Sequence, residues 1–305
     1  MMHLGFVSTI VPEFSFEELI RFTQAQGFTT VEAACWPAGK AERRYAGASH
    51  FDVENLDQAQ ADDMRDFMSE CGVHLSALAY YPNPLDENLQ TRDAAVAHLH
   101  KLIDKAPLLR IPYITTFIGK MQHADAEENW KAFMSVWPEL IRHAEDKGVA
   151  LCIENCPMYF TKDEWPGGKN LASSPQFGEQ MFDAIPSDSF ALNYDPSHFV
   201  IQQMDYIQPI YQFAEKIKHF HIKDVHFFRE KFNQVGFMAP PLAYIAPKLP
   251  GLGDVNWGAV VSALNDIGYR GDICIEVEDR AYENTLEDRL DAIRLSKRYM
   301  EQFVI

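Results

Sequence analysis

The chain has 305 residues, 47% of them hydrophobic, and it carries 27 Lys and Arg against 44 Asp and Glu, a net charge of −17. That length fits one α/β barrel of about 250 residues plus insertions, and the acidic balance argues against nucleic acid, whose binders present a basic face that releases counterions. No apolar run approaches the roughly 20 residues of a membrane helix, and the start, Met-Met-His-Leu-Gly-Phe-Val-Ser with Glu13, Glu17 and Glu18 close behind, lacks a signal peptide's basic end and apolar stretch. The expectation is therefore a single cytoplasmic domain over residues 1–305, with no membrane and no nucleic-acid partner.

Short β-branched or aromatic runs alternate with amphipathic stretches along the whole chain, the pattern of parallel strands joined by crossover helices. In order, the reading is strand His3–Ser8, helix Phe16–Gln26, strand Thr29–Ala34, helix Glu54–Glu70, strand His74–Tyr80 and helix Asn88–Leu109. Strand Tyr113–Phe117, helix Ala126–Lys147, strand Ala150–Glu154, helix Gln176–Ala184, strand Phe190–Asp195 and helix Ile207–Glu215 follow. Strand Ile217–Ile222, helix Trp257–Ile267, strand Asp272–Val277 and helix Thr285–Phe303 complete eight pairs, which predicts a (β/α)₈ TIM barrel. Gly27, Gly72, Gly148 and Gly268 each stand where a helix should stop before the next strand. Two connections, Asn155–Pro175 and Lys223–Asn256, far exceed the usual loop of about 4–6 residues. Both follow strands, so both should rise at the C-terminal face, where such barrels build their active sites.

The cysteines, Cys35, Cys71, Cys152, Cys156 and Cys274, are odd in number and form no CxxC pair, so they read as reduced packing residues and not as disulfides or a zinc knot. The chemistry is expected elsewhere. The last four strands end in Glu154, Asp195, His221 and Glu276, and strand alternation points each of them, with Cys152, Asn193, His219 and Cys274 two residues earlier, into the barrel. Three carboxylates brought together at the mouth would repel one another and be driven towards protonation; a divalent cation resolves that conflict. Three oxygens and one imidazole suit one divalent metal ion, Mn²⁺ first, with Mg²⁺, Co²⁺ or Zn²⁺ compatible. For each residue singly, an N-cap or salt-bridge role is the commoner one. It is their placement on successive strand ends that argues for a metal.

Glu32 points inward at the end of the second strand, where it can bind a substrate hydroxyl or serve as a buried hydrogen-bond partner. Trp36, Tyr81, Trp165 and Phe228 follow strands, where rings can pack on a sugar's apolar face or simply fill loop core. Lys223 and Arg229 read as solvated charges, and His219 as a hydrogen-bonded residue one layer below His221. His74, His98, His100 and His143 are expected away from the mouth.

With these motifs in view, the chain resembles the sugar phosphate isomerase/epimerase superfamily of xylose-isomerase-like barrels. The likeness rests on Ile153-Glu154-Asn155, Asp195-Pro196-Ser197-His198, His219-Phe220-His221-Ile222-Lys223-Asp224 and Pro250-Gly251-Leu252-Gly253-Asp254-Val255-Asn256-Trp257 leading to Ile275-Glu276. The resemblance implies a metal-dependent isomerase or epimerase acting on a sugar or keto-sugar. Glu154 and Glu276 would be the catalytic pair, one removing a proton next to the carbonyl and the other returning one to the opposite face of a metal-stabilised enediolate. It also implies that His198 contacts substrate, and that the chain forms a homo-oligomer, dimer or tetramer. Inosose dehydratases and C-glycoside deglycosidases share the pattern, so a lyase is the alternative, in the deglycosidase case with a small partner subunit. An apurinic endonuclease would need more histidines at the strand ends, and a non-catalytic sugar-binding barrel would leave the four ligands unexplained.

Overall fold

The computed structural model describes residues 2–37, 46–159 and 167–304. Eight strands form one parallel sheet: β1 His3–Phe6, β2 Thr30–Ala34, β3 His74–Ala79, β4 Tyr113–Thr116, β5 Ala150–Glu154, β6 Phe190–Tyr194, β7 Ile217–Ile222 and, after an antiparallel pair described below, β10 Asp272–Ile275. Their spatial order is β1-β10-β7-β6-β5-β4-β3-β2. The ends meet through a parallel bridge between Val7 and Glu32, where the Ser8 hydroxyl also accepts the Ala34 N–H at 2.9 Å. Gly5 makes that approach possible, because a Cβ there would stand 2.5 Å from the Thr30 carbonyl oxygen.

The expected helices are present: α1 Phe16–Ala25, α2 Gln58–Cys71, α3 Leu89–Lys105, α4 Ala126–Lys147, α5 Pro175–Ala184, α7 Gln208–Gln212, α9 Trp257–Asp266 and α10 Leu286–Met300. Of these, α4 has the bounds read from the sequence, and each of the others has one or both ends shifted. Local chemistry sets the limits. Asp57 and Gln60 form a capping box, so α2 starts at Gln58 and not at Glu54. Gly72 and Gly148 end α2 and α4 in the left-handed region, at φ +65° and +68°. Beyond Lys105, where Pro107 follows, the chain tightens into a 3₁₀ turn over Ala106–Leu109.

Two connections hold short elements that the sequence reading did not place. A short helix, α6 Ser197–Ile201, follows β6 directly. The long connection Lys223–Asn256 holds an antiparallel pair, β8 Asp224–Phe227 with β9 Ile245–Lys248, and helix α8 Arg229–Val235. The buried Asp224 carboxylate ties this excursion down, accepting from the backbone N–H of Val225, Gly251 and Val255 and from Trp257 Nε1.

The apolar core lies between sheet and helices, as in the stack of Trp137 from α4 on Phe190 from β6, centroids 5.8 Å apart. The barrel interior is polar instead. His219 Nδ1 meets Asn193 Oδ1 at 2.9 Å, its Nε2 meets Ser76 Oγ at 2.9 Å, and Cys274 Sγ lies 3.7 Å from that nitrogen. The inward alternation read from the strands is thereby realised. No helix among the described residues is long and apolar enough to cross a membrane.

Candidate metal centre

Glu154, Asp195, His221 and Glu276 each bring one donor atom into a cluster whose atoms all lie within 4.8 Å of one another. Donors of one ion at bond lengths of about 2.1 Å lie within about 4.2 Å of each other, so the set closes on a cation with small side-chain movement. Glu154 ends β5, while Asp195 and Glu276 stand just past β6 and β10. Asn155 fixes two of these ends together, donating to the Asp195 carbonyl and accepting the Asp195 N–H, both at 2.8 Å. Asn170 donates to the carbonyls of Glu154 and Cys156.

His221 shows how the centre is oriented. Its Nε2 lies 2.6 Å from Glu32 Oε2, while Nδ1 faces Glu276 Oε2 at 3.5 Å and Glu154 Oε1 at 3.7 Å. A metal-binding imidazole usually donates its other N–H to a carboxylate in this manner. His221 Nδ1 and Asp195 Oδ2 are both buried and without a hydrogen-bond partner. Buried polar atoms left without partners are costly, and a cation among these four donors would satisfy both. The residues present fit a divalent ion.

Glu32, expected as a hydroxyl binder or a buried partner, is fully buried, with both oxygens committed to protein: Oε2 to His221, Oε1 to Tyr81 OH and Thr115 Oγ1 at 2.7 Å each. Burial opposes its ionisation, but His221 and His219 prevail and hold the carboxyl down at about 2. Asn193 Nδ2 donates to Tyr81 OH, extending the same support. Sequence reasoning missed Thr115, Asn155, Asn170 and the orienting place of Tyr81, since nothing local distinguishes them from other polar residues.

His198 stands on α6 and brings Nε2 to 2.9 Å from Glu154 Oε1 and 3.2 Å from Asp195 Oδ2. Cys156 belongs to the same corner, in a group with Glu154 and His198. Trp36 packs edge-on to Tyr80, centroids 4.9 Å apart, and against the cluster of Tyr81, Phe117, Cys156 and Met158. Trp165 lies outside the described residues.

Lys223 overturns its reading as a solvated charge. It is 5% exposed, and Nζ lies 2.7 Å from Glu276 Oε2, 3.4 Å from Asp195 Oδ2, 3.9 Å from Glu154 Oε1 and 3.6 Å from Glu278 Oε2. Burial would discharge an isolated ammonium, but these carboxylates raise its pKa well above the usual lysine value. Arg229, in contrast, donates to Gln203 at an exposed position.

A barrel of eight parallel strands with this donor set at the C-terminal ends defines the class, and the comparisons agree. The chain belongs to the xylose isomerase-like TIM barrel family, whose model matches residues 20–302. Among curated proteins it is similar to an inosose dehydratase of Clostridium perfringens, 24% identical over 178 residues, 56% of this chain. That match spans 55%, about half, of the relative's length. Among solved structures it resembles the D-psicose 3-epimerase of Clostridium cellulolyticum H10 with D-tagatose, at TM-score 0.73, 16% identity and 99% of both chains. The IOLI protein with a zinc atom gives TM-score 0.70 at 18% identity, again over 99% of both chains.

Proposed function

We propose that this protein is a metal-dependent isomerase or epimerase acting on a sugar or keto-sugar. The observation that carries the reading is the convergence of Glu154, Asp195, His221 and Glu276, with His221 oriented from behind by Glu32. These four residues would hold one divalent ion, Mn²⁺ first among Mn²⁺, Mg²⁺, Co²⁺ and Zn²⁺, and when bound it supplies a Lewis acid that polarises a carbonyl oxygen.

The protein's own groups then divide the proton transfers. Glu154 on β5 and Glu276 beyond β10 reach the mouth from strands separated by β6 and β7, so they approach a sugar from different sides. One glutamate, as the carboxylate, removes the proton next to the carbonyl and becomes the acid; the other, entering as the carboxylic acid, gives its proton to the opposite face and becomes the carboxylate, inverting the carbon. His198, within 2.9 Å of Glu154 and 3.2 Å of Asp195, would contact a substrate oxygen, and Trp36 would line an apolar face. The D-psicose 3-epimerase and IOLI likenesses support the fold this chemistry requires.

The inosose dehydratase match favours a second reading, a lyase on a keto-sugar or keto-inositol. There the same proton abstraction is followed by loss of a β-leaving group. Incubating the metal-loaded protein with a panel of ketoses and keto-inositols in D₂O separates the two. A sugar that gains carbon-bound deuterium and keeps its composition identifies the epimerase, whereas a product lighter by one water identifies the lyase. Metal content measured beside Asp195→Ala tests the foundation: about one ion per chain, lost in the variant, is expected. A protein that takes up no metal would remove the proposal.

A further inference from the structure

Three carboxylate oxygens in the metal centre already have a cation among them. Lys223 Nζ lies 2.7 Å from Glu276 Oε2, 3.4 Å from Asp195 Oδ2 and 3.9 Å from Glu154 Oε1. Two of these, Glu154 Oε1 and Glu276 Oε2, are the oxygens that face His221 Nδ1, and Asp195 Oδ2 is the atom without a hydrogen-bond partner. Three of the donors that would take a divalent ion thus already surround this ammonium. A fourth carboxylate, Glu278, stands 3.6 Å from Nζ and lies outside the donor cluster.

We propose that Lys223 is the built-in counter-cation of the centre: its ammonium balances Glu154, Asp195 and Glu276 when no divalent ion is held, and shifts towards Glu278 when one enters. An ammonium and a dication repel each other, and oxygens that turn to the metal are withdrawn from Nζ. The lysine then needs another acceptor, and Glu278 is the one within reach. It cannot retreat to water without breaking out of its buried setting, because only 5% of it is exposed. The device sets metal affinity below what the four donors alone would give, and so keeps the ion exchangeable. Without the lysine, the three carboxylates would have only the His198 and His221 imidazoles between them whenever the ion left.

This inference rests on the metal reading of the four donors, and the test separates the two. Mn²⁺ alone is titrated into the chelator-stripped full chain, with free Mn²⁺ followed by its paramagnetic resonance signal. Lys223→Met is expected to tighten Mn²⁺ binding by tenfold or more, and Glu278→Gln to weaken it. In a Lys223→Met background, Glu278→Gln should lose most of its effect. In chelator, Lys223→Met should melt below the wild type and recover with Mn²⁺. If it folds only with Mn²⁺, unfolding on chelation where the wild type stays folded supports the same assignment. Equal or weaker Mn²⁺ binding by Lys223→Met, or an equal Glu278→Gln effect in both backgrounds, overturns the counter-cation while leaving the metal site standing. Retention of Mn²⁺ by Asp195→Ala overturns both.

Discussion

His221 Nε2 and Glu32 Oε2 lie 2.6 Å apart, joining the end of β7 to β2 across the barrel interior. The pair fixes which imidazole nitrogen carries the proton and turns the other towards Glu154 and Glu276. Glu32→Gln, which keeps the shape but cannot anchor the ring as an anion, should weaken Mn²⁺ binding by about 10–100-fold, the usual loss for an orienting partner. Binding curves that superimpose on the wild type would show that the ring is held by other means.

Glu154→Gln and Glu276→Gln probe the proton transfers. Each should lower turnover by about 10²–10⁴-fold, the range for loss of a positioned acid or base. Deuterium uptake should separate the pair: the variant that retains the base still washes solvent deuterium into substrate, and the other does not. Full exchange by both variants would place the base elsewhere. Circular dichroism checks that each keeps its fold.

Closure of the barrel rests on a missing side chain. Gly5→Ala forces a Cβ to 2.5 Å from the Thr30 carbonyl oxygen, where neither strand can yield without disturbing the β1–β2 seam. The expected cost is about 1–3 kcal/mol, read as a lower urea midpoint. An unchanged midpoint would mean that the seam has slack.

Three histidines away from the metal centre should each withdraw stability as pH falls below neutrality. Burial lowers the imidazole pKa of His50, His98 and His100, and for His100 the neighbouring His143 adds to the effect. Groups with depressed folded values stay neutral while the unfolded chain takes up protons near about pH 6.5, so unfolding gains on acidification. Their contribution is complete above that value and lost on the way down. His100 offers the cleanest test, since it meets His143 Nδ1 at 2.8 Å, with Glu139 and Asp104 as its acidic neighbours. Replacing it with Gln should flatten the fall in melting temperature between pH 7.5 and 5.5. An identical slope in the variant would assign the fall to other groups.

Much of the fold was legible because strand alternation and helix punctuation are local. The Asp57–Gln60 capping box is just as local, yet the sequence reading passes over it and starts α2 too early, at Glu54. The run Ala150–Glu154 declares by itself that Cys152 and Glu154 share a face. The four prospective ligands could be named from strand ends for the same reason. Short elements were lost: α6, α8 and the β8–β9 pair are four to seven residues long, too brief to show a period, and Pro247 within β9 reads as a loop signal.

What the sequence by itself determined is the set of inward-facing side chains, because backbone geometry alternates them whatever the strand packs against. Which of those side chains meet was decided only in three dimensions. Glu32 is 189 residues from His221 and becomes its partner only when the sheet closes. Lys223 lies one residue beyond β7 on the same parity as His219 and His221, so alternation already allowed it to face inward. What only the fold supplied is the four carboxylates, from the end of β5 and from just beyond β6 and β10, that hold its charge there. A charge past a strand end goes to water unless the fold gathers opposite charges to receive it, and that gathering is a property of the closed barrel.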